Sequence, residues 1–105
     1  MSLSRLAAAI EARRGADPST SWTAKLLGDP DRAAKKFGEE AVEAVIEAVR
    51  GDRERLRAEA ADAIYHLLVM CAARGLTLAD LEAELATREG RSGIEEKAGR
   101  GSPGP

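Results

Sequence analysis

The sequence predicts an all-α fold, a helical bundle of four main helices plus a short one. Three observations carry that reading. Alanine, leucine, glutamate and arginine dominate the chain, and all are good helix formers. Aromatic residues are 3% of the 105, with one Trp, one Tyr and one Phe, too few for a β-sandwich or barrel. Stretches with apolar residues at helical spacing alternate with Gly, Asp-Pro and Ser stop-and-start signals. The 44% hydrophobic and 32% charged content is that of an ordinary globular domain and excludes a collagen-like or low-complexity chain.

The elements follow in order. Residues 4–14 carry Leu6, Ala7 and Ile10 on one face and run into Gly15. Residues 15–21 are turn-rich, with Asp-Pro and a Ser cluster. Ser21 is placed to cap a short helix, Trp22–Leu27, that stops at Gly28. Asp29 then Pro30 is a strong start signal, an N-cap acid with proline at the first helical position. That helix should run to Arg50 and stop at Gly51. Asp52 caps a third long helix through Arg74, ended by Gly75. Thr77-Leu-Ala-Asp80 has capping-box form and opens a fourth long helix, to about Arg88. Residues 90–105 hold five of the ten glycines and two of the four prolines. One domain over residues 1–100 and a flexible tail at 101–105 are expected.

Composition also limits function. The net charge of −2 supplies no basic field, so neither nucleic acid nor an anionic membrane is an expected partner. Cys71 is the one cysteine and lies in an apolar run, which points to a reducing compartment and a buried structural thiol. No basic segment followed by a long apolar stretch opens the chain, so no secretory signal is expected. The longest apolar run, residues 60–73, is broken by Asp62 and His66 and is too short for a bilayer of about 30 Å.

The acids on the two long central helices are out of place. On the second helix Phe37, Ala41, Ala44, Val45 and Ala48 cover one side, and Val42, Ile46 and Val49 widen the apolar arc to roughly 200°, against the ~100° of a simple surface helix. The remaining arc holds Lys36, Glu39, Glu40, Glu43 and Glu47. The third helix is apolar nearly all round, yet Glu59, Asp62 and His66 share one narrow stripe. Such a helix belongs in the centre of a bundle or at an oligomer interface. Buried acids are rare unless paired or bound to metal. An ion pair with Arg32 or Arg55, or a plain solvated face, is the simpler explanation. The functional one is a cation site between the helices, brought together by an antiparallel hairpin through Gly51 and Asp52. Carboxylates without a Cys/His cluster suit a hard cation, Mg²⁺ or Mn²⁺. Zinc is disfavoured by the single histidine. A di-iron centre is disfavoured because no Glu-x-x-His pair is present.

The spacing Glu39-Glu40-x-x-Glu43 followed by Glu59-x-x-Asp62 resembles the signature of the all-α NTP pyrophosphohydrolase (MazG-like) superfamily. Lys36-Phe-Gly-Glu-Glu-Ala-Val-Glu43, Glu59-Ala-Ala-Asp-Ala-Ile-Tyr-His-Leu-Leu-Val69, Ser21-Trp-Thr-Ala-Lys-Leu26 and Arg91-Ser-Gly-Ile-Glu-Glu-Lys-Ala-Gly-Arg100 resemble one family within it, the phosphoribosyl-ATP pyrophosphohydrolases. The resemblance covers residues 4–100. Trp22 stands where that family usually has Tyr, and Phe37 where Val is common. It implies a cytoplasmic, Mg²⁺-dependent enzyme of histidine biosynthesis. The reaction releases pyrophosphate from phosphoribosyl-ATP to give phosphoribosyl-AMP. It also implies a bundle completed by dimerisation, as a homodimer.

Given that reaction, Glu40, Glu43, Glu59 and Asp62 are expected to hold the metal. Glu39 and Glu40 are the catalytic candidates, with Glu39 placed to orient or deprotonate water or to add a further ligand. Lys36 is expected either to reach a phosphate or to pair with Glu39 or Glu40. His66 is expected to touch substrate, to hold a ligand carboxylate, or to be a satisfied core histidine. Arg88, Arg91, Ser92 and Lys97 are expected on the substrate's phosphates. Gly38 is expected at a close helix contact, with room for a nucleotide as the alternative. Glu47 extends the acid stripe but lies outside the motif. A house-cleaning nucleoside triphosphate pyrophosphohydrolase with the same metal site, and a helical interaction module with merely solvated acids, are the competing readings.

Overall fold

The computed structural model describes residues 1–90. It holds five helices and, among the described residues, no strand: α1 (Leu3–Glu11), α2 (Trp22–Leu27), α3 (Pro30–Arg50), α4 (Arg53–Ala73) and α5 (Leu78–Ala86). The fold is therefore all-α, with four main helices and a short one. The expected tail boundary at residue 100 lies outside the described residues.

The caps follow the residues that encode them. Ser21 accepts from the Ala24 amide at 3.1 Å and opens α2. Asp29 accepts from Arg32 N, with Pro30 as the first residue of α3. Thr77 and Asp80 exchange both bonds of a capping box, at 3.1 and 2.9 Å. The first helix is the exception at its far end. It stops at Glu11 because Arg13 N and Arg14 N tighten onto the Ile10 and Glu11 carbonyls, each at 3.0 Å, before Gly15.

The α3–α4 turn is the structural key. Gly51 adopts φ +79°, a left-handed conformation that costs other L-residues roughly 1–2 kcal/mol. Its amide reaches Ala48 O at 3.3 Å, and Asp52 N reaches Glu47 O at 3.2 Å, closing a Schellman motif. Asp52 then accepts from Arg55 N at 3.0 Å and starts α4. One dipeptide thus ends one long helix and begins the next, and α3 and α4 share by far the most extensive contact in the chain.

The core sits at the end of this hairpin away from its turn. Ile10, Leu26, Leu27, Ala33, Leu68 and Val69 are buried together there, with Leu6, Tyr65, Met70, Leu78 and Leu81 packed around them. The Tyr65 hydroxyl is hydrogen-bonded to Thr23 Oγ1, which ties α2 to α4. Towards the turn the hairpin stands uncovered. Val42, Val45, Ile46 and Val49 of α3 are 59%, 60%, 44% and 83% exposed, and Ile64 of α4 is also exposed. The radius of gyration is 15.9 Å, against roughly 13 Å for a compact chain of this size. Cys71 is half-buried with a free thiol, and desolvation pushes its pKa up. The expectation of close packing at Gly38 does not hold within the chain: a Cβ built there meets nothing within 4 Å. No single helix among the described residues is long and apolar enough to cross a membrane.

Candidate metal centre

Glu43 and Glu59 stand at equal separations from Gly51, on either side of the turn. In an antiparallel hairpin that places them opposite one another, with Glu40 one turn further along α3. The structure brings these three together: one carboxylate oxygen from each of Glu40, Glu43 and Glu59 lies within 4.8 Å of the others. Glu40 and Glu59 are half-buried and Glu43 is exposed.

Their proximity has an electrostatic signature. The Glu59 carboxyl is pushed up to about 7. Its protonated form hydrogen-bonds Glu43, burial disfavours its charge, and Glu43 and Glu40 repel it. Three carboxylates this close, one of them resisting ionisation, make a poor structural element and a chemically suitable ligand set for a cation. A magnesium ion holds oxygens at 2.0–2.1 Å, so neighbouring ligand atoms sit ~3 Å apart and opposite ones ~4 Å. A spread within 4.8 Å meets that after small side-chain rotations. The donor set is all carboxylate, which suits a hard cation.

The other expected residues distribute as follows. Asp62 does not join the group of three; it is exposed, and its main-chain oxygen accepts a 2.8 Å bond from His66 Nδ1. That bond assigns the histidine's proton to Nδ1, because a carbonyl only accepts. His66 is 7% exposed, with Tyr65 edge-on at 4.8 Å, and Nε2 is buried without a partner. His66 is thus a core histidine with one side bonded to main chain. Lys36 lies 3.5 Å from Glu39 and 3.7 Å from Glu40, the pairing alternative for that residue. Glu39 is exposed, one step round the helix from Glu40. Arg88 pairs with Glu84 at 3.2 Å in the turn after α5. Arg91, Ser92 and Lys97 lie outside the described residues.

An open groove of about 810 Å³ runs beside these acids, lined by Lys35, Lys36, Gly38, Glu39, Glu40, Val42 and Glu43. Its size is in the range of nucleotide-scale sites. A separate apolar cavity of about 390 Å³, lined by Ile10, Leu68, Leu76 and Leu78 among others, contains none of the candidate site residues. Sequence reasoning set the site boundary at Glu43 and left out Glu47. The structure shows Glu47 nearly buried, with its side chain 12% exposed. Its position four residues after Glu43 was the available signal.

Comparison with known proteins places the chain in a family. A family model described as phosphoribosyl-ATP pyrophosphohydrolase matches residues 3–89. A protein of Cereibacter sphaeroides named phosphoribosyl-ATP pyrophosphatase is 71% identical over 100 residues, covering 94% of this chain and 97% of its own length. Relatives of the same name from Jannaschia sp. and Paracoccus denitrificans are 68% and 70% identical over 99 residues. Each covers 93% of this chain, and the matches span 97% and 92% of the relatives. With the hairpin acids in place and the match running through all five helices, the chain belongs to the phosphoribosyl-ATP pyrophosphohydrolase family.

Proposed function

We propose that this chain carries out its family's reaction at the α3–α4 hairpin. It hydrolyses the α–β phosphoanhydride of 1-(5-phosphoribosyl)-ATP to 1-(5-phosphoribosyl)-AMP and pyrophosphate, the second step of L-histidine biosynthesis. The observation that carries the reading is the convergence of Glu40, Glu43 and Glu59 within 4.8 Å in a chain so similar to proteins of that name.

Glu40, Glu43 and Glu59 would hold Mg²⁺, with Mn²⁺ as a substitute, and Asp62 would join by turning its side chain toward them. When bound, the cation supplies neutralisation of the charge that builds on the pyrophosphate leaving group. Glu39 is exposed beside this set and takes the proton of the attacking water. Lys36 is held by two long ion pairs, 3.5 and 3.7 Å, which it exchanges for a phosphate oxygen. Arg88, Arg91, Ser92 and Lys97 supply further donors to the phosphates.

A homodimer is part of the same reading. Val42, Val45, Ile46, Val49 and Ile64 expose on the order of 500 Å² of side chain, where a stable interface takes ~800 Å² from each partner. A second hairpin laid against this one completes a four-helix bundle and shields that surface. The reaction belongs to a biosynthetic pathway of the cytoplasm, with no nucleic acid or membrane partner.

The test is direct. The purified protein is incubated with phosphoribosyl-ATP and Mg²⁺, beside a panel of ordinary nucleoside triphosphates, and pyrophosphate is measured. Release from phosphoribosyl-ATP alone supports the assignment. Equal or better turnover of the ordinary triphosphates overturns it in favour of a house-cleaning enzyme.

A further inference from the structure

Glu47 is a largely covered acid on α3 with one oxygen left unpartnered. Its side chain is 12% exposed, and its Oε1 is shielded from solvent with no hydrogen-bond partner. Its other oxygen has only a 3.8 Å contact with Arg50 Nη1, whose own side chain is 64% exposed. A buried carboxylate oxygen without a donor is costly, and hairpin geometry alone gives no reason to keep a charge there. Glu40, Glu43 and Glu47 follow one another at i, i+3 and i+7, so they form a single stripe along α3. Helical side chains lean toward the N-terminus, which directs Glu47 toward the turn that carries Glu43. It stays outside the group of three whose oxygens lie within 4.8 Å of one another, so it is not a direct ligand in this geometry.

We propose that Glu47 is a positioning residue of the cation centre, accepting a hydrogen bond from the hydration shell of a divalent ion held by Glu40, Glu43 and Glu59. This rests on the cation centre proposed above. Magnesium gives up its water reluctantly and commonly keeps several water ligands, which need acceptors. The shielded Oε1, one helical turn from Glu43, is such an acceptor. Loss of outer acceptors of this kind typically weakens metal binding 10–100-fold.

The experiment measures Mn²⁺ affinity by calorimetry for the full chain, for Glu47→Gln, and for Glu47→Met. Met is apolar and of similar length, so it removes the buried charge without leaving a void. Glu82→Gln, an exposed acid of α5, controls for the loss of one negative charge. The expected result is a tenfold or greater rise in Kd for Glu47→Met, a smaller rise for Glu47→Gln, which keeps one acceptor oxygen, none for the control, and metal-free melting temperatures at or above that of the wild type. Wild-type affinity in both Glu47 variants overturns the proposal and leaves the cation centre standing. Absence of Mn²⁺ binding in the wild-type chain overturns the cation centre and this role with it.

Discussion

Glu59 and Glu43 face each other across the α3–α4 hairpin with carboxylate oxygens within 4.8 Å, and this crowding pushes the Glu59 carboxyl up from its ordinary 4.5 to about 7. The sign of the consequence is fixed by which state, folded or unfolded, holds the Glu59 proton. Between pH 4.5 and about 7 the folded chain keeps it and the unfolded chain has released it. Metal-free stability contributed by this group is therefore present at low pH and lost as pH rises through that window. Glu59→Gln stays neutral throughout. The wild type and the variant should melt at similar temperatures near pH 5, with the wild type falling behind by pH 8. Parallel melting curves across that range would contradict the raised Glu59 carboxyl.

Divalent ions should reverse this loss. An ion that binds only the folded chain adds RT ln(1 + [L]/Kd), about 2.7 kcal/mol at a hundredfold excess over Kd. Mg²⁺ or Mn²⁺ at constant ionic strength should raise the melting temperature at pH 8 more than at pH 5, where protons compete for the same oxygens. A shift of equal size with Na⁺ would identify simple charge screening.

Removing individual acids should separate chemistry from folding. Glu40→Gln, Glu43→Gln and Glu59→Gln each keep side-chain shape and should lower turnover of phosphoribosyl-ATP by about 100-fold or more, with the helical circular dichroism intact. Metal-free stability should rise, because each substitution relieves repulsion within the set. Asp62→Asn is the informative fourth, since Asp62 stands outside the three-acid group. Unaltered turnover in Asp62→Asn would reduce the protein ligand set to three.

The exposed valines of α3 give a test of assembly. Val45 is 60% exposed in the single chain. Placing Glu there puts an unpaired charge into an apolar contact, a cost of about 3–5 kcal/mol when buried. Val45→Glu should raise the dissociation constant of the proposed homodimer by ~100-fold or more in analytical ultracentrifugation. A dimer of unchanged affinity would move the interface elsewhere.

The hairpin turn can be tested apart from the site. A Cβ at Gly51 meets nothing within 4 Å, so Gly51→Ala adds backbone strain and no clash. Urea unfolding should show a loss of roughly 1–2 kcal/mol. An unchanged midpoint would mean that the turn relaxes out of its left-handed conformation.

Most of the fold was legible in the sequence because its punctuation is local. Ser21, Asp29, Pro30, Gly51, Asp52 and Thr77 act on amides and carbonyls within a few residues, so α2 and α3 begin and end where those residues place them. The end of α1 was missed by three residues, since the tightening onto the Ile10 and Glu11 carbonyls leaves no mark in residue type. Acid spacing likewise marked Glu40, Glu43 and Glu59 in advance, because a two-residue turn between two helices leaves little freedom of register.

Tertiary structure decided what depends on distance and burial across elements. It united three of the four expected ligands and left Asp62 at the surface, because side-chain direction is not set by spacing. It turned His66 Nδ1 onto a main-chain carbonyl and left open space within the chain at Gly38, where a close helix contact, or else room for a nucleotide, is expected from the sequence. It also showed Glu47 shielded with an unpartnered oxygen, where a sequence shows only one more glutamate on a helix. Residue type sets what a side chain can do, but only the packing of α3 against α4 sets how much water and which neighbours it meets.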